Sequence, residues 1–491
     1  MERLTFNVGA SRRGPLVVAG RAGQAVRSTE RRSRIRQITQ QAAAVRERYD
    51  WDYLWMLAFT ALLFFRPQDQ IPGLEALHLA ELTAIAGLAA MAVRRLSRGQ
   101  PIVHVNGEVI GVVVLGAIIV LTIPFSFWPG GSMKLFMDIY VKIILIFALM
   151  ISTITSPRRV RQMMWIMILA SGYLSVRAVF DYVRGLNLIE GDRVRGAVGG
   201  MFENPNDLAL NLVTFLAPTL FIICHDRKTS RRALAAGIAV AMVAAIVCTK
   251  SRSGFLGLVA MGAVVGYYVG RAKPAVVLAS LLALVLALPV MPGSFWDRMD
   301  SIMNAEEDQT GSRAARLRLI DQGIEVFLEN PITGIGAGQF QNYNGPGFVE
   351  KWRVTHNVWL QVAAELGVFG LVTFAFLVVR TYSANFVVMH MLRPSRRRRG
   401  PPSPGAEAIA KREVQLSLTD EERRILELNA RSMTAAIVGW TVCSLFASVA
   451  FNWTFYYVMA LAVAGREIVV SRRAAVAEPA ASSPRLVRAS A

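Results

Sequence analysis

His356 stands in the run Lys351-Trp-Arg-Val-Thr-His-Asn-Val-Trp-Leu360 and is one of five histidines in a chain of 491 residues. An imidazole titrates near neutrality, so it can take a proton from a hydroxyl or donate a hydrogen bond, tuned by its neighbours Thr355, Asn357 and Trp359. A lone histidine is usually structural. Two arginine-bearing segments elsewhere in the chain keep this one in play.

The first reads Gly191-Asp-Arg-Val-Arg-Gly-Ala-Val-Gly-Gly-Met-Phe-Glu-Asn-Pro-Asn-Asp207 and sets Arg193 and Arg195 beside glycines, just before a helix opened by Asn204 and Pro205. Asn or Asp at that position caps a helix, which explains half of the motif; the arginines need another reason. The second, Thr249-Lys-Ser-Arg-Ser-Gly254, is so short that Arg252 must lie at the boundary between two apolar helices. Guanidinium groups beside a free helix amino terminus make a receptor for phosphate oxygens, through bidentate hydrogen bonds and the helix dipole. The bland alternative is an arginine reaching for lipid phosphates at the interface. A third stretch has an amphipathic helix predicted over Ser312–Glu329 with Arg313, Arg316 and Arg318, then Asn330-Pro-Ile-Thr-Gly-Ile-Gly-Ala-Gly-Gln-Phe340. Gly334, Gly336 and Gly338 lack the framing strand and helix of a dinucleotide fingerprint, so a tight turn packed on the rest of the protein is expected.

These segments are punctuation in a chain that is 54% hydrophobic, more apolar than a soluble core requires. Apolar runs of roughly 16 to 25 residues recur along it, the length needed to cross a bilayer. The reading is an all-α integral membrane protein with about 12 transmembrane helices and one large external loop. Spans are expected near Tyr53–Phe65, Leu74–Val93, Val109–Trp128, Leu135–Thr155, Met163–Val183, Leu208–Cys224, Ala233–Cys248, Phe255–Gly270, Ala275–Met291, Leu366–Leu392, Met433–Phe451 and Phe455–Val470. No internal repeat stands out, which counts against a transporter built on inverted repeats. Residues 1–50 read as a basic disordered cytosolic arm, 51–470 as the membrane domain and 471–491 as a cytosolic tail.

Alternate loops are rich in Lys and Arg, among them Arg94/Arg95/Arg98, Arg158/Arg159/Arg161, Arg227/Lys228/Arg231/Arg232, Arg271/Lys273 and the 393–431 loop. Positive loops stay in the cytoplasm, so both termini are placed there, and Arg195, Arg252, His356 and the 292–365 loop are placed outside. The net charge of +20 is therefore assigned to topology and anionic lipid; no nucleic-acid surface is expected. Cys224, Cys248 and Cys443 lie in or beside apolar segments without metal spacing and read as small buried hydrophobes. Gly262, Gly266 and Gly270 have the spacing that admits a neighbouring helix, and Asp138/Lys142 and Arg177/Asp181 the spacing of ion pairs on one helix face.

Taken together and in this order, Phe202-Glu-Asn-Pro-Asn206 with Arg195, Ser251-Arg-Ser-Gly254, Asn330-Pro-Ile-Thr-Gly-Ile-Gly336 and His356-Asn357 followed by Glu365-Leu-Gly367 resemble the O-antigen ligase and O-antigen polymerase superfamily of bacterial polytopic glycosyltransferases. The similarity covers roughly residues 50–470. It implies a fold like the GT-C class, a place in the bacterial inner membrane, and transfer of a glycan from an undecaprenyl-diphosphate-linked donor to a saccharide or lipid A-core acceptor on the periplasmic face. It also implies no cofactor and no metal, in keeping with the absence of an Asp-x-Asp signature from the external loops. On the matching residues, Arg195 and Arg252 hold the donor diphosphate, with Arg193 close enough to substitute for Arg195, and His356 assists the acceptor hydroxyl. Arg313, Arg316, Arg318, Asn357 and Glu365 become candidates for glycan or acceptor contact. Ligase, repeat-unit polymerase and protein O-oligosaccharyltransferase all fit. From another class, a lipid-linked glycan flippase would need charge continuing through the bilayer, for which Asp138, Lys142 and Arg380 are the few deep residues.

Overall fold

The computed structural model describes residues 50–69, 71, 73–189, 192–196, 202–271, 273–275, 278, 293, 296, 312–344, 348–393, 414–415 and 417–477. All helices discussed below fall mainly in one compact unit, Tyr49–Pro394 with Glu421–Ser471. The expected span Ala275–Met291, the arm before residue 50 and most of the 393–431 loop lie outside the described residues.

The helices are α1 (Trp51–Phe65), α2 (Leu79–Leu96), α3 (Gly107–Thr122), α4 (Pro129–Thr153), α5 (Pro157–Arg184), α6 (Pro205–His225), α7 (Thr229–Thr249), α8 (Arg252–Gly270), α9 (Ser312–Glu329), α10 (Val358–Leu392), α11 (Asp420–Ser444) and α12 (Trp453–Ala477). Among the described residues eight helices are long and apolar enough to cross a membrane, namely α3 to α8, α10 and α12. Helices α1, α2 and α11 coincide with three more expected spans, but α1 has only 15 residues, α2 ends on Arg94 and Arg95, and α11 opens on Asp-Glu-Glu-Arg-Arg.

The starts follow from the sequence. Asn106, Ser156, Asn204, Ser251 and Asn357 each accept a hydrogen bond from a backbone N–H in the first turn of the helix that follows, satisfying a donor with no intrahelical partner. Pro157 and Pro205 occupy the first helical position, where a missing N–H costs nothing.

Side-chain contacts show which helix ends share a side. Asp50 at the start of α1 pairs with Arg159 at the start of α5 at 2.8 Å, and Arg161 of α5 pairs with Glu421 at the start of α11 at 2.5 Å. Glu108, at the start of α3, accepts from Arg466 near the end of α12 at 2.6 and 2.7 Å and from Arg380 in the second half of α10 at 2.7 Å. These ends therefore lie together, and the starts of α6, α8, α10 and α12 lie at the other. The core between them is aromatic where α10, α11 and α12 meet, with Trp440 stacked on Phe455 at 4.7 Å and Phe374 at 5.5 Å from Phe455. Helices α8 and α11 approach through Gly257 and Gly439, where an added Cβ on Gly257 would collide with Cys443 Sγ.

Two sequence expectations are corrected. Lys142 does not pair with Asp138: residues Phe136–Tyr140 form a π-turn, whose extra residue per turn moves the two side chains off one face, and Lys142 bonds Glu81 of α2 at 2.8 Å instead. Gly262 and Gly266 face open space among the described residues, so the close helix approach occurs one turn earlier, at Gly257. The Arg177/Asp181 pair is present at 3.8 Å.

Candidate functional site

The chain after α5 turns into a short antiparallel ribbon, β1 (Leu188–Ile189) with β2 (Arg193–Val194), in which Ile189 lies opposite Arg193, and Arg195 N–H extends the ladder to Asn187 O at 3.1 Å. Arg193 is buried, donating from Nε to Thr249 O at 3.1 Å and from Nη2 to Asn206 Oδ1 at 2.9 Å. Ser251 Oγ donates to the same Asn206 oxygen at 2.7 Å while accepting the Gly254 N–H that caps α8. Lys250, also buried and held in the left-handed region at φ 48°, pairs with Asp192 and lies over the Tyr182 ring. The ribbon, the start of α6 and the α7–α8 turn are thus one hydrogen-bonded body.

That body separates the two arginines left open by sequence. Arg193 spends its donors inside the protein, whereas Arg195 is exposed and has no side-chain hydrogen bond or ion pair among the described residues. Arg252 is half-buried in the first turn of α8, where backbone N–H groups and the helix dipole favour an anion.

The third segment hangs on α10. Gly367, at φ 66° and ψ −165°, breaks that helix and releases the carbonyls of Ala364 and Glu365. The Asn330–Phe340 turn takes them up: Ile335 N–H donates to Ala364 O and Gly336 N–H to Glu365 O, both at 2.9 Å, while Val368 N–H returns a bond to Pro331 O at 2.8 Å. The expected docking of this turn on the membrane helices is met, with Ser126 Oγ bonded to Ile335 O at 3.2 Å and Ser132 Oγ to Ala337 O at 3.1 Å. Helix α9 covers the turn through Leu319 and Val326, which pack with Ile335, Phe340 and Ala364.

His356 precedes α10 with its backbone in the left-handed region, φ 49°. Its N–H donates to Ser448 Oγ at 3.0 Å, and Thr355 Oγ1 lies 2.9 Å from the same hydroxyl, so the segment is pinned to the connection between α11 and α12. Asn357 uses its side-chain oxygen on the N–H groups of Trp359 and Leu360 at 2.9 and 3.2 Å. Glu365 is buried and accepts Gly338 N–H at 2.9 Å, holding the turn. Arg318 forks onto Glu350 at 2.7 and 3.0 Å, Arg316 is half-buried, and the Arg313 side chain lies outside the described residues. Arg195, Arg252 and His356 therefore share one end of the helix bundle, while Arg193, Asn357 and Glu365 are built into the body that positions them.

At the same end a cavity of about 920 Å³ runs between α1, α2 and α4 up to Asp207, Gln361, Ser448 and Trp453. Asp207 in the first turn of α6 has no side-chain hydrogen bond among the described residues and borders this space. Ser448 joins the cavity wall to His356. Sequence reading gave no role to Asp207, Lys250 or Ser448, and placed Asn206 only within the motif that carries the resemblance. For Asp207 an overlooked signal was present, an acid in the first turn of an apolar helix; Ser448 carried none. Among the described residues no cluster of three or more His, Cys, Asp or Glu is arranged to hold a metal ion.

Fold and site together define a multi-pass all-α membrane protein whose polar machinery is gathered at one end of the bundle. Residues 237–375, from the middle of α7 through the kink of α10, match the O-antigen ligase family model, which bears out the resemblance to that superfamily. The matched stretch contains Arg252, the α9 arginines, the Asn330–Phe340 turn and His356, and leaves Arg193 and Arg195 outside. Among curated proteins none matches the chain.

Proposed function

We propose that the protein transfers a glycan from an undecaprenyl-diphosphate-linked donor to a saccharide acceptor, of the lipid A-core class, at the periplasmic face of the bacterial inner membrane. The termini are cytoplasmic in this reading, because the end of the bundle opposite the site carries the basic loops. The observation that carries the proposal is the clamp at Asn206, which fixes the ribbon of Arg195 against the helix start of Arg252 at the end where His356 is pinned.

The acceptor hydroxyl oxygen attacks the anomeric carbon, the bond from that carbon to the phosphate oxygen breaks, and the hydroxyl proton passes to the His356 imidazole. The diphosphate departs as an anion. Arg195 and Arg252, with the amino terminus of α8, stabilise the charge it gains, a contribution worth about 3–4 kcal/mol for one well-placed donor. No step calls on a metal ion. A flippase would use charge along the bilayer interior, but Arg380 is neutralised by Glu108 and Lys142 by Glu81, which favours the transferase.

Arg252→Ala and His356→Ala proteins, purified and given lipid-linked glycan with acceptor, are expected to insert normally and to lose transfer by about 100-fold or more. Product is read by mass. Full transfer in both variants overturns the site assignment; movement of labelled donor across proteoliposomes without covalent product overturns the transferase reading.

A further inference from the structure

At the end of the bundle away from the site, two adjoining cavities of about 200 and 410 Å³ open between α5, the α6–α7 turn and α11, sharing Arg161, Trp165 and Arg231 in their walls. Their rims carry six permanent cations, Arg158, Arg161, Arg227, Lys228, Arg231 and Arg424, against two acids, Asp226 and Glu421. Both acids are already engaged: Glu421 by Arg161 at 2.5 Å, Asp226 by Arg231 at 3.6 Å and by the Lys228 N–H at 2.8 Å. The Arg161 hydrogen bond also holds the Glu421 carboxyl below its ordinary range, so it remains an anion and the surplus of positive charge stands as counted.

The floor is apolar. Trp165 packs against the Ile168, Ile222 and Ala235 cluster, and the second cavity continues past Leu57 and Ile166 toward the outer surface of α1 and α5. A ring of guanidinium groups above a Trp-lined apolar slot matches a molecule that is anionic at one end and hydrocarbon at the other. Free phosphate satisfies only the rim, and an acidic peptide would leave the slot unfilled. Basic pockets between membrane helices at the headgroup level take up lipid phosphates in this way, the indole marking the interface.

We infer that this pair of cavities is a specific site for an anionic glycerophospholipid, its phosphate held among Arg161, Arg231 and Arg424 and an acyl chain lying along Trp165, Ile166 and Leu57. The inference is independent of the proposed chemistry at the other end, since it uses none of those residues. Occupation would tie α5, the α6–α7 turn and α11 together from outside the core.

The test uses the purified full-length protein in detergent, with phosphatidylglycerol and phosphatidylcholine carrying brominated acyl chains as quenchers of tryptophan fluorescence. Quenching by the anionic lipid at concentrations at least ten-fold below those needed with phosphatidylcholine is expected, with the difference lost in Trp165→Phe. Arg231→Gln combined with Arg424→Gln is expected to erase the preference. Equal quenching by the two lipids, or an unchanged preference in Trp165→Phe, overturns the site. Glycerol phosphate provides the remaining arm: if it displaces the lipid at equal concentration, a phosphate site has been found and the lipid site is refuted. Should the double arginine variant fail to fold, the comparison of the two lipids in the wild-type and Trp165→Phe proteins still decides.

Discussion

Arg193 and Ser251 donate to one oxygen, Oδ1 of Asn206, at 2.9 and 2.7 Å, and through it two loops 45 or more residues apart in the chain are held as one surface. Asn206→Ala removes that acceptor and leaves a buried guanidinium short of a partner, at a cost of about 1–3 kcal/mol. Thermal unfolding in detergent is expected to shift down accordingly. Because Arg195 and Arg252 lose their common anchor, glycan transfer should fall at least ten-fold, as small misplacements of reacting groups do. Asn206→Asp retains the acceptor and should keep most of both. Wild-type transfer in Asn206→Ala would show that the clamp does not position the arginines.

Gly336 and Gly185 both hold positive φ, at 100° and 69°, but only Gly336 is walled in, by Ser126 and Ser132. Gly185→Ala therefore meets backbone strain alone, about 1–2 kcal/mol. Gly336→Ala adds a collision and should expel the Asn330–Phe340 turn from the α10 break. Limited proteolysis is expected to cut the Gly336→Ala protein within this turn and to spare Gly185→Ala. Equal resistance in both would mean that the turn can shift without undocking.

The helices were legible because lipid demands long apolar runs, and their starts because Asn204, Ser251 and Asn357 are polar side chains that cap. The arginine segments were legible because charge at the boundary of an apolar helix is costly and needs a reason. What stayed hidden was tertiary. Nothing local distinguishes Arg193 from Arg195, and only the fold turns one inward onto Thr249 and Asn206 while the other stays exposed. Lys142 looked like a partner for Asp138 because a regular helix was assumed; the π-turn at Phe136–Tyr140 has no sequence signature strong enough to predict. Ser448, an ordinary serine near the end of an apolar stretch, gained its place against His356 solely from the packing of α10 against α11 and α12.

Glu108 is buried and accepts from both Arg380 and Arg466. Removing one member of such a network strands charge away from water, so Glu108→Ala should cost about 3–5 kcal/mol and sharply reduce the folded yield. Lys142→Ala offers the contrast. Its bond to Glu81 joins two side chains that are each nearly half exposed, and a pair of that kind is worth about 1 kcal/mol or less. Folded yield measured by size-exclusion chromatography should separate the two variants clearly; similar yields would mean that water reaches the Glu108 cluster.

Ser448 binds the backbone N–H of His356 and the hydroxyl of Thr355 and, among the described residues, is bonded to neither arginine segment, so its removal should act on the imidazole's placement and spare the hold on the diphosphate. Ser448→Ala leaves a strained left-handed residue, φ 49°, without the bond that fixes it. Under the proposed mechanism kcat falls about ten-fold while KM for the lipid-linked donor stays within about two-fold, the pattern of an interaction made in the transition state and not in binding. Arg252→Ala should also lose affinity for the donor, raising KM as kcat falls. Steady-state transfer assays on the two variants distinguish these outcomes. A Ser448→Ala enzyme that raised KM for the donor and left kcat unchanged would move Ser448 to the binding of substrate, in the cavity it lines, and away from the positioning of His356.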